Sequence, residues 1–181
     1  MPNKALFLTF YPSPIGRLTV VTTGEKLCRL AFPGEEHEGI MSDLKRKLPG
    51  TTINVDEGGS TCREIINQLD EYFSGSRFSF TIPMELYGTP FQLTVWSALR
   101  EIPYGTTLSY GDIAEKIGRP KAARAVGQAV GRNPLGIIIP CHRVIGKNGQ
   151  LIGFGGGLKI KEWLLNFEAK HVKTRQTSTG K

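Results

Sequence analysis

The sequence predicts an α+β protein in which a small amino-terminal antiparallel sheet with a helix precedes a helical, helix-turn-helix half. Three observations lead there. Residues 4–32 alternate apolar and polar side chains between turn signals, the period-two pattern of half-buried strands. Residues 61–73 repeat Ile65, Ile66, Leu69, Tyr72 and Phe73 at helical spacing. From Thr89 on, helix signals take over: N-cap residues at Thr89 and Ser109, and a Gly118-Arg119-Pro120 break between two short helices.

Taken in order, Ala5 to Tyr11 reads as a strand, Ser13-Pro14-Ile15-Gly16 as a turn and Arg17 to Thr23 as a second strand. Gly24-Glu25-Lys26 turns the chain into a third, Leu27 to Phe32, and connections this short make an antiparallel meander. Glu35 to Leu48 is charged with sparse apolar positions, a short exposed helix; Thr61 to Phe73 is an amphipathic one. Phe78 to Ile82 is a strand returning toward the sheet, and Glu85 to Thr89 the linker. Thr89 caps a helix with Pro90 at its first position, where proline's missing N–H costs nothing. That helix, Phe91 to Arg100, turns Val95, Trp96 and Leu99 to one face. Pro103-Tyr104-Gly105 turns the chain, Ser109 and Asp112 make a shortened capping box, and Tyr110 to Ile117 is helical. Pro120 to about Arg132 is a second helix rich in small residues (Ala122, Ala123, Ala125, Gly127, Ala129), which admit the close approach of another helix or of a ligand. Arg124 is a long cation among them. The expected domains are 1–88 and 89–170, with a disordered basic tail over 171–181.

The chain has 181 residues, 39% hydrophobic and 22% charged, an ordinary globular composition. No apolar run approaches the ~20 residues a membrane helix needs. The amino terminus lacks the apolar core and cleavage site of a signal peptide. A cytoplasmic protein is therefore expected (nucleoid-associated in a prokaryote, nuclear in a eukaryote), with no membrane partner. Three widely spaced cysteines argue against a disulfide framework. Cys28 reads as a packing residue of the third strand and Cys62 as an inert thiol in a helix's first turn. The net charge of +7 is uneven: residues 1–89 carry 9 Lys+Arg against 11 Asp+Glu, residues 90–181 carry 14 against 5. A basic half beside a slightly acidic one fits a nucleic-acid-binding domain with a non-binding companion, and equally a basic surface kept for solubility.

The candidate chemistry centres on Ile137-Ile138-Ile139-Pro140-Cys141-His142-Arg143-Val144-Ile145. Three β-branched residues in a row read as a buried strand that Pro140 ends. A thiol then leaves a rigid apolar segment with an imidazole next to it. A histidine that takes the thiol proton is the usual means of making a thiolate near neutral pH. A lone pair of this kind is more often a buried structural cysteine beside a capping histidine.

The pair is not alone. Pro140-Cys141-His142-Arg143-Val144 resembles the active-site signature of the O6-alkylguanine-DNA alkyltransferase (methylated-DNA–protein-cysteine methyltransferase) family. Lys121-Ala122-Ala123-Arg124-Ala125-Val126-Gly127 and Asn133-Pro134 upstream, and Gly155-Gly156-Gly157-Leu158 and Lys161-Glu162-Trp163-Leu164-Leu165 downstream, match the same family in order and spacing. The resemblance spans roughly residues 89–168. It implies a winged-helix-like DNA-binding domain carrying the active-site cysteine. It also implies irreversible, stoichiometric transfer of an alkyl group from O6-alkylguanine (and O4-alkylthymine) in flipped-out DNA to Cys141. The partner is double-stranded DNA bound through the minor groove by a monomer, without a cofactor.

The resemblance further implies a relay of Glu168, His142, a water and Cys141, with Asn133 bonding between the recognition helix and the active-site turn. Tyr110 would donate a proton toward a ring nitrogen of the base. Val144 and Cys141 would offer carbonyls to its amino group, and Gly155 an N–H to its oxygen, within a Gly153–Gly157 lid that contains Phe154. Arg124 would hold the place of the flipped nucleotide, and Gly111, Arg119, Lys121 and Ala123 would also contact DNA. On residue type alone, Glu168 is more often a solvated helix end and Tyr110 more often a core aromatic. Arg119 departs from the family, where a helix-capping Asn is frequent; an arginine there cannot cap and opposes the helix dipole. Some members bind a structural zinc in the amino-terminal half, but Cys28, His37 and Cys62 do not match that ligand set, and no metal is expected. The alternatives are a damage sensor of the same fold without transfer, a helix-turn-helix regulator and a cysteine hydrolase.

Overall fold

The computed structural model describes residues 5–55 and 59–178, without the side chains of 60 and 174–178. The chain divides into two compact units, Met1–Tyr87 and Gly88–Lys181.

In the first unit, β1 (Ala5–Ser13), β2 (Gly16–Thr22) and β3 (Leu27–Ala31) form the antiparallel meander, with Leu8 opposite Val21 and Tyr11 opposite Leu18. Gly16, at φ 108, closes the first turn under the Ser13 hydroxyl, which donates to its carbonyl at 2.6 Å. The chain then crosses through α1 (His37–Lys47) and adds β4 (Thr52–Val55) parallel to β1, giving the order β3-β2-β1-β4. This fourth strand is a finding the sequence reading lacks. Four residues with one half-buried side chain carry too little alternation to stand out. The helix α1 is not simply exposed: Ile40 and Leu44 pack with Leu6, Leu8, Val21 and Cys28. A parallel connection needs such a crossover element to return the chain. On β1, Tyr11 faces away from Leu8, and its hydroxyl donates to Asp70 of α2 (Ser60–Phe73) at 2.6 Å, so the two helices cover the two faces. The strand expected over Phe78 to Ile82 does not form. The chain meets the sheet only later, where the Leu27 N–H donates to Pro83 O and the Glu85 N–H to Leu27 O, both at 2.9 Å. Pro83 itself has no N–H for a ladder.

The second unit begins with α3 (Pro90–Arg100), capped by a Thr89/Gln92 box and burying Val95, Trp96, Ala98 and Leu99. A two-residue strand, β5 (Leu108–Ser109), leads into α4 (Tyr110–Lys116), whose Ser109/Asp112 box is complete. Gly118, at φ 70, breaks the chain. The second helix then opens as a tight 3-10 turn over Pro120–Ala122 and becomes α-helical as α5 (Ala123–Gly131), burying Val126, Ala129 and Val130. The indole N–H of Trp96 donates to Ala129 O at 2.8 Å and joins α3 to α5.

Ile137-Ile138-Ile139 is buried as expected but is not a strand. Ile138 N–H bonds back to Gly136 O and Ile139 N–H to Leu135 O, each at 2.8 Å, and Ile137 takes φ 70. Burial of three isoleucines satisfies the apolar pattern in any backbone conformation, and here the chain is folded on itself instead of extended. A 3-10 turn over Cys141–Arg143 follows, then β6 (Val144–Ile145), parallel to β5. The last helix, α6 (Leu158–Ser178), runs past the point where a disordered tail was expected to begin. His171 and Val172 are half-buried, which keeps the helix attached beyond residue 170; residues 179–181 of that tail lie outside the described ones.

Candidate active site

Asn133 shapes the approach to the thiol. Its Oδ1 accepts from the Leu135 N–H at 3.0 Å and its Nδ2 donates to Ile139 O at 2.8 Å, folding residues 133–139 into a clamp. Cys141 leaves that clamp 5% exposed, followed by His142 at 0% and Arg143 at 5%. Across from them Glu168 projects from α6, also fully buried.

Four donors converge on the Glu168 carboxylate. His142 Nε2 lies 2.7 Å from Oε1, Arg143 donates through Nε to Oε2 and through Nη2 to Oε1, each at 2.9 Å, and the Gly105 N–H reaches Oε2 at 3.0 Å. Burial pushes the carboxyl up, but hydrogen bonds from His142 and Arg143 together with the Arg143 charge outweigh it and hold the group well below the usual carboxylate range. An ionised carboxylate only accepts, so His142 Nε2 carries the ring proton and Nδ1 holds the lone pair. That Nδ1 is buried and makes no hydrogen bond among the described residues. Burial lowers the imidazole's pKa, Glu168 pulls it back up, and Arg143 and Lys161 push it down; the ring rests neutral. A neutral imidazole with a free nitrogen can accept a proton, and the thiol is on the residue before it in the chain.

The thiol itself rests protonated. Burial raises its pKa, opposed by the Asn133 side chain and the Lys161 charge. Lys161 is fully buried, and its ammonium donates to Ile152 O at 3.1 Å and lies 6.0 Å from the Tyr110 ring centroid. The Tyr110 hydroxyl donates to the same carbonyl at 2.9 Å. Burial first, and Cys141 second, raise the phenol's pKa, which keeps it a proton donor at neutral pH. Gly127 on α5 faces this ring: a Cβ there would stand 3.7 Å from Tyr110 Cδ1, an ordinary van der Waals contact.

A shallow cavity of about 490 Å³ opens outward from Tyr110, lined also by Ala123, Arg124, Gly127, Phe154 and Gly155. The small residues of α5 thus face both Trp96 and an open surface. Arg119, Lys121 and Arg124 are exposed on the helix-turn-helix, with the Arg119 guanidinium 5.5 Å from the Phe91 ring centroid; Gly111 is half-buried in the first turn of α4. Val144 is buried in β6 directly after the Cys141–Arg143 turn. Among the described residues no three His, Cys, Asp or Glu side chains are grouped to hold a metal.

Residues 90–170 match the model of the 6-O-methylguanine DNA methyltransferase DNA-binding domain, and residues 6–86 that of the ribonuclease-like domain of the same proteins. The methylated-DNA–protein-cysteine methyltransferase of Mycobacterium leprae is 47% identical over 165 residues, 91% of this chain and 93% of the relative. The chain belongs to the methylated-DNA–protein-cysteine methyltransferase family. The Haemophilus influenzae methyltransferase is 42% identical over 91% of this chain and 87% of its own. The crystal structure of the Mycobacterium tuberculosis O6-methylguanine methyltransferase superposes with TM-score 0.79 at 41% identity, covering 92% of this chain and 94% of the other. The same M. tuberculosis protein in complex with DNA gives 0.76 at 40% identity over the same shares. The two-unit α+β architecture, a ribonuclease-like sheet unit and a helical DNA-binding unit, is that of this methyltransferase family.

Three site residues escaped the sequence reading: Arg143, Gly105 and Lys161. For Lys161 a signal was present. Lys161, Leu164 and Glu168 are spaced three and four apart and are the buried stripe of α6, which therefore begins and ends on a charge. Charges on an apolar stripe are rarely buried without partners. Arg143 and Gly105 gave no comparable sign, because their partners are distant in sequence.

Proposed function

We propose that the chain reverses alkylation damage by moving the alkyl group from O6 of guanine in DNA to Sγ of its own Cys141. The observation that carries this reading is the Cys141-His142-Glu168 arrangement, with one imidazole nitrogen fixed by the carboxylate and the other free. As the alkyl carbon is displaced, an S–C bond forms and the O–C bond breaks. The thiol proton goes to His142, directly or through a water, and Glu168 stabilises the imidazolium. The electron pair left on the guanine is met by a proton from Tyr110. A sulfur nucleophile suits displacement at an sp3 carbon, where an uncharged hydroxyl at neutral pH does not.

The target oxygen lies inside a base pair, so the nucleotide must rotate out of the stack. The cavity beside Tyr110 and Phe154 suits the extruded base, with Gly155 of its lining offering an N–H, and Arg124, exposed and also in the lining, suits the vacated place in the duplex; Val144, buried outside that lining, would offer its carbonyl. Arg119, Lys121, Ala123 and Gly111 lie on the same helix-turn-helix and would follow the backbone through the minor groove, which carries little sequence information. A damage sensor without transfer is disfavoured by the thiol itself.

The test is to incubate the protein with duplex DNA containing O6-methylguanine and read the tryptic peptide carrying Cys141 by mass spectrometry. One added methyl per chain is expected, with none in Cys141→Ser, which should still bind the duplex. Several turnovers per chain, or transfer by Cys141→Ser, would overturn the assignment.

A further inference from the structure

We infer that Arg143 is a positioning residue for this transfer: its guanidinium fixes the Glu168 carboxylate in the plane of the His142 bond and offsets its charge, so that the imidazole stays aimed at the thiol and free to take a proton. The inference rests on the thiol chemistry proposed above.

The geometry is a fork on a fork. Nε and Nη2 of Arg143 meet Oε2 and Oε1 of Glu168 in two parallel 2.9 Å bonds, an arrangement that fixes a carboxylate in rotation as well as position. The remaining amine, Nη1, donates to Ile102 O at 2.7 Å, and the guanidinium lies 5.5 Å from the Tyr104 ring centroid. One side chain therefore joins the turn that holds Cys141, the helix that holds Glu168 and the segment after α3. Without it, both bonds of the fork are lost, and with them the contact that sets the rotation of the carboxylate against the His142 ring.

Charge makes a second argument. The charged groups that act on His142 are Glu168 and Lys161 from α6 and Arg143 from its own turn, where Cys141 is the preceding residue, while Tyr104 stands behind Arg143. A buried carboxylate with no cation beside it draws a proton onto an imidazole bonded to it. An imidazolium cannot accept the thiol proton. Arg143 supplies a permanent cation to the carboxylate; the imidazole's pKa is lowered by burial first, and the Arg143 charge adds to that.

The experiment follows single-turnover benzyl transfer from free O6-benzylguanine against pH for the full-length protein, Arg143→Lys and Arg143→Met, with Cys141→Ser as control and thermal unfolding of each. In Arg143→Met the acid limb of the pH–rate profile should move upward by roughly one pH unit, because the imidazole is protonated more readily. In Arg143→Lys the charge remains, so the limb should stay in place, while the plateau rate falls on the order of 10- to 100-fold because an ammonium cannot form the fork. A general loss of structure lowers the rate at every pH and moves no limb. An unmoved limb in Arg143→Met, or a full plateau rate in Arg143→Lys, overturns the inference. If Arg143→Met does not fold, the plateau of Arg143→Lys decides. Transfer by Cys141→Ser would instead defeat the underlying chemistry, whatever the Arg143 variants do.

Discussion

Replacing Gly105 by alanine is expected to destabilise the carboxy-terminal unit by about 2–4 kcal/mol. Three contributions are worked from its surroundings. Gly105 adopts φ 72, a left-handed conformation that costs an L-residue roughly 1–2 kcal/mol. A Cβ there would stand 2.4 Å from Val172 Cγ2, an overlap with a stiff β-branched side chain, and overpacking of this kind costs about 1–3 kcal/mol. Alanine also stiffens the unfolded chain, which returns about 0.4–1 kcal/mol. The assay is urea unfolding followed by tryptophan fluorescence. Both tryptophans, Trp96 and Trp163, lie in the carboxy-terminal unit, so the signal reports that unit. Val172→Ala in the same background removes the overlap but not the backbone strain, so the double-mutant cycle should show a favourable coupling of about 1–3 kcal/mol. Additivity within about 0.5 kcal/mol would refute the overlap argument. Because the Gly105 N–H also holds Glu168, transfer should slow in Gly105→Ala even where the unit remains folded.

Two further outcomes are expected. Arg124→Ala should slow repair of duplex O6-methylguanine by one to several orders of magnitude, since unstacking a base costs roughly a few kcal/mol, while reaction with free O6-benzylguanine is nearly unchanged; rates falling in parallel would make Arg124 part of the pocket. Stability should also decline with acid in two stages. His142, with its folded pKa lowered, loses stabilisation as pH falls below about 6.5, and Glu168, likewise lowered, below about 4.3, because in each range the unfolded chain binds more protons. Glu168→Gln should cost about 3–5 kcal/mol near neutrality by leaving Arg143 buried without its anion, and should shrink the lower stage, to which Asp43 and Asp112, also lowered, still contribute; a Glu168→Gln protein with the same acid profile would contradict that account.

Local signals made much of this molecule legible before its structure was known. The Thr89 and Ser109 caps were readable because an N-cap is a contact between residues three apart, and so were the meander turns and the amphipathic stripe of α2. What escaped depends on distant partners. The parallel strand β4 is defined by β1, more than forty residues away, and its own four residues carry little pattern. The isoleucines before Cys141 have strong β propensity, yet the Asn133 clamp and burial decide their conformation, and Ile137 is held in a region β-branched residues avoid. Within the site, Cys141, His142 and Glu168 were named through their resemblance to a family. The structure adds the other donors on Glu168, which come from Gly105 and Arg143.

The smallest sheet in the molecule joins its two working parts. β6 starts on the residue after the Cys141–Arg143 turn, and β5 ends on Ser109, the cap of the helix that begins with Tyr110. Only two residue pairs, Leu108 with Val144 and Ser109 with Ile145, connect them. The linkage is short: β6 follows the turn directly, and β5 runs straight into the capping residue of α4. An atom added to the sulfur, which is 5% exposed, must be accommodated in the turn that β6 continues, and a shift of that turn would reach Ser109 and Tyr110 through these two pairs. A chain that has reacted once would thus differ from a fresh one at the surface offered to DNA as well as at its sulfur, a mechanical record of use.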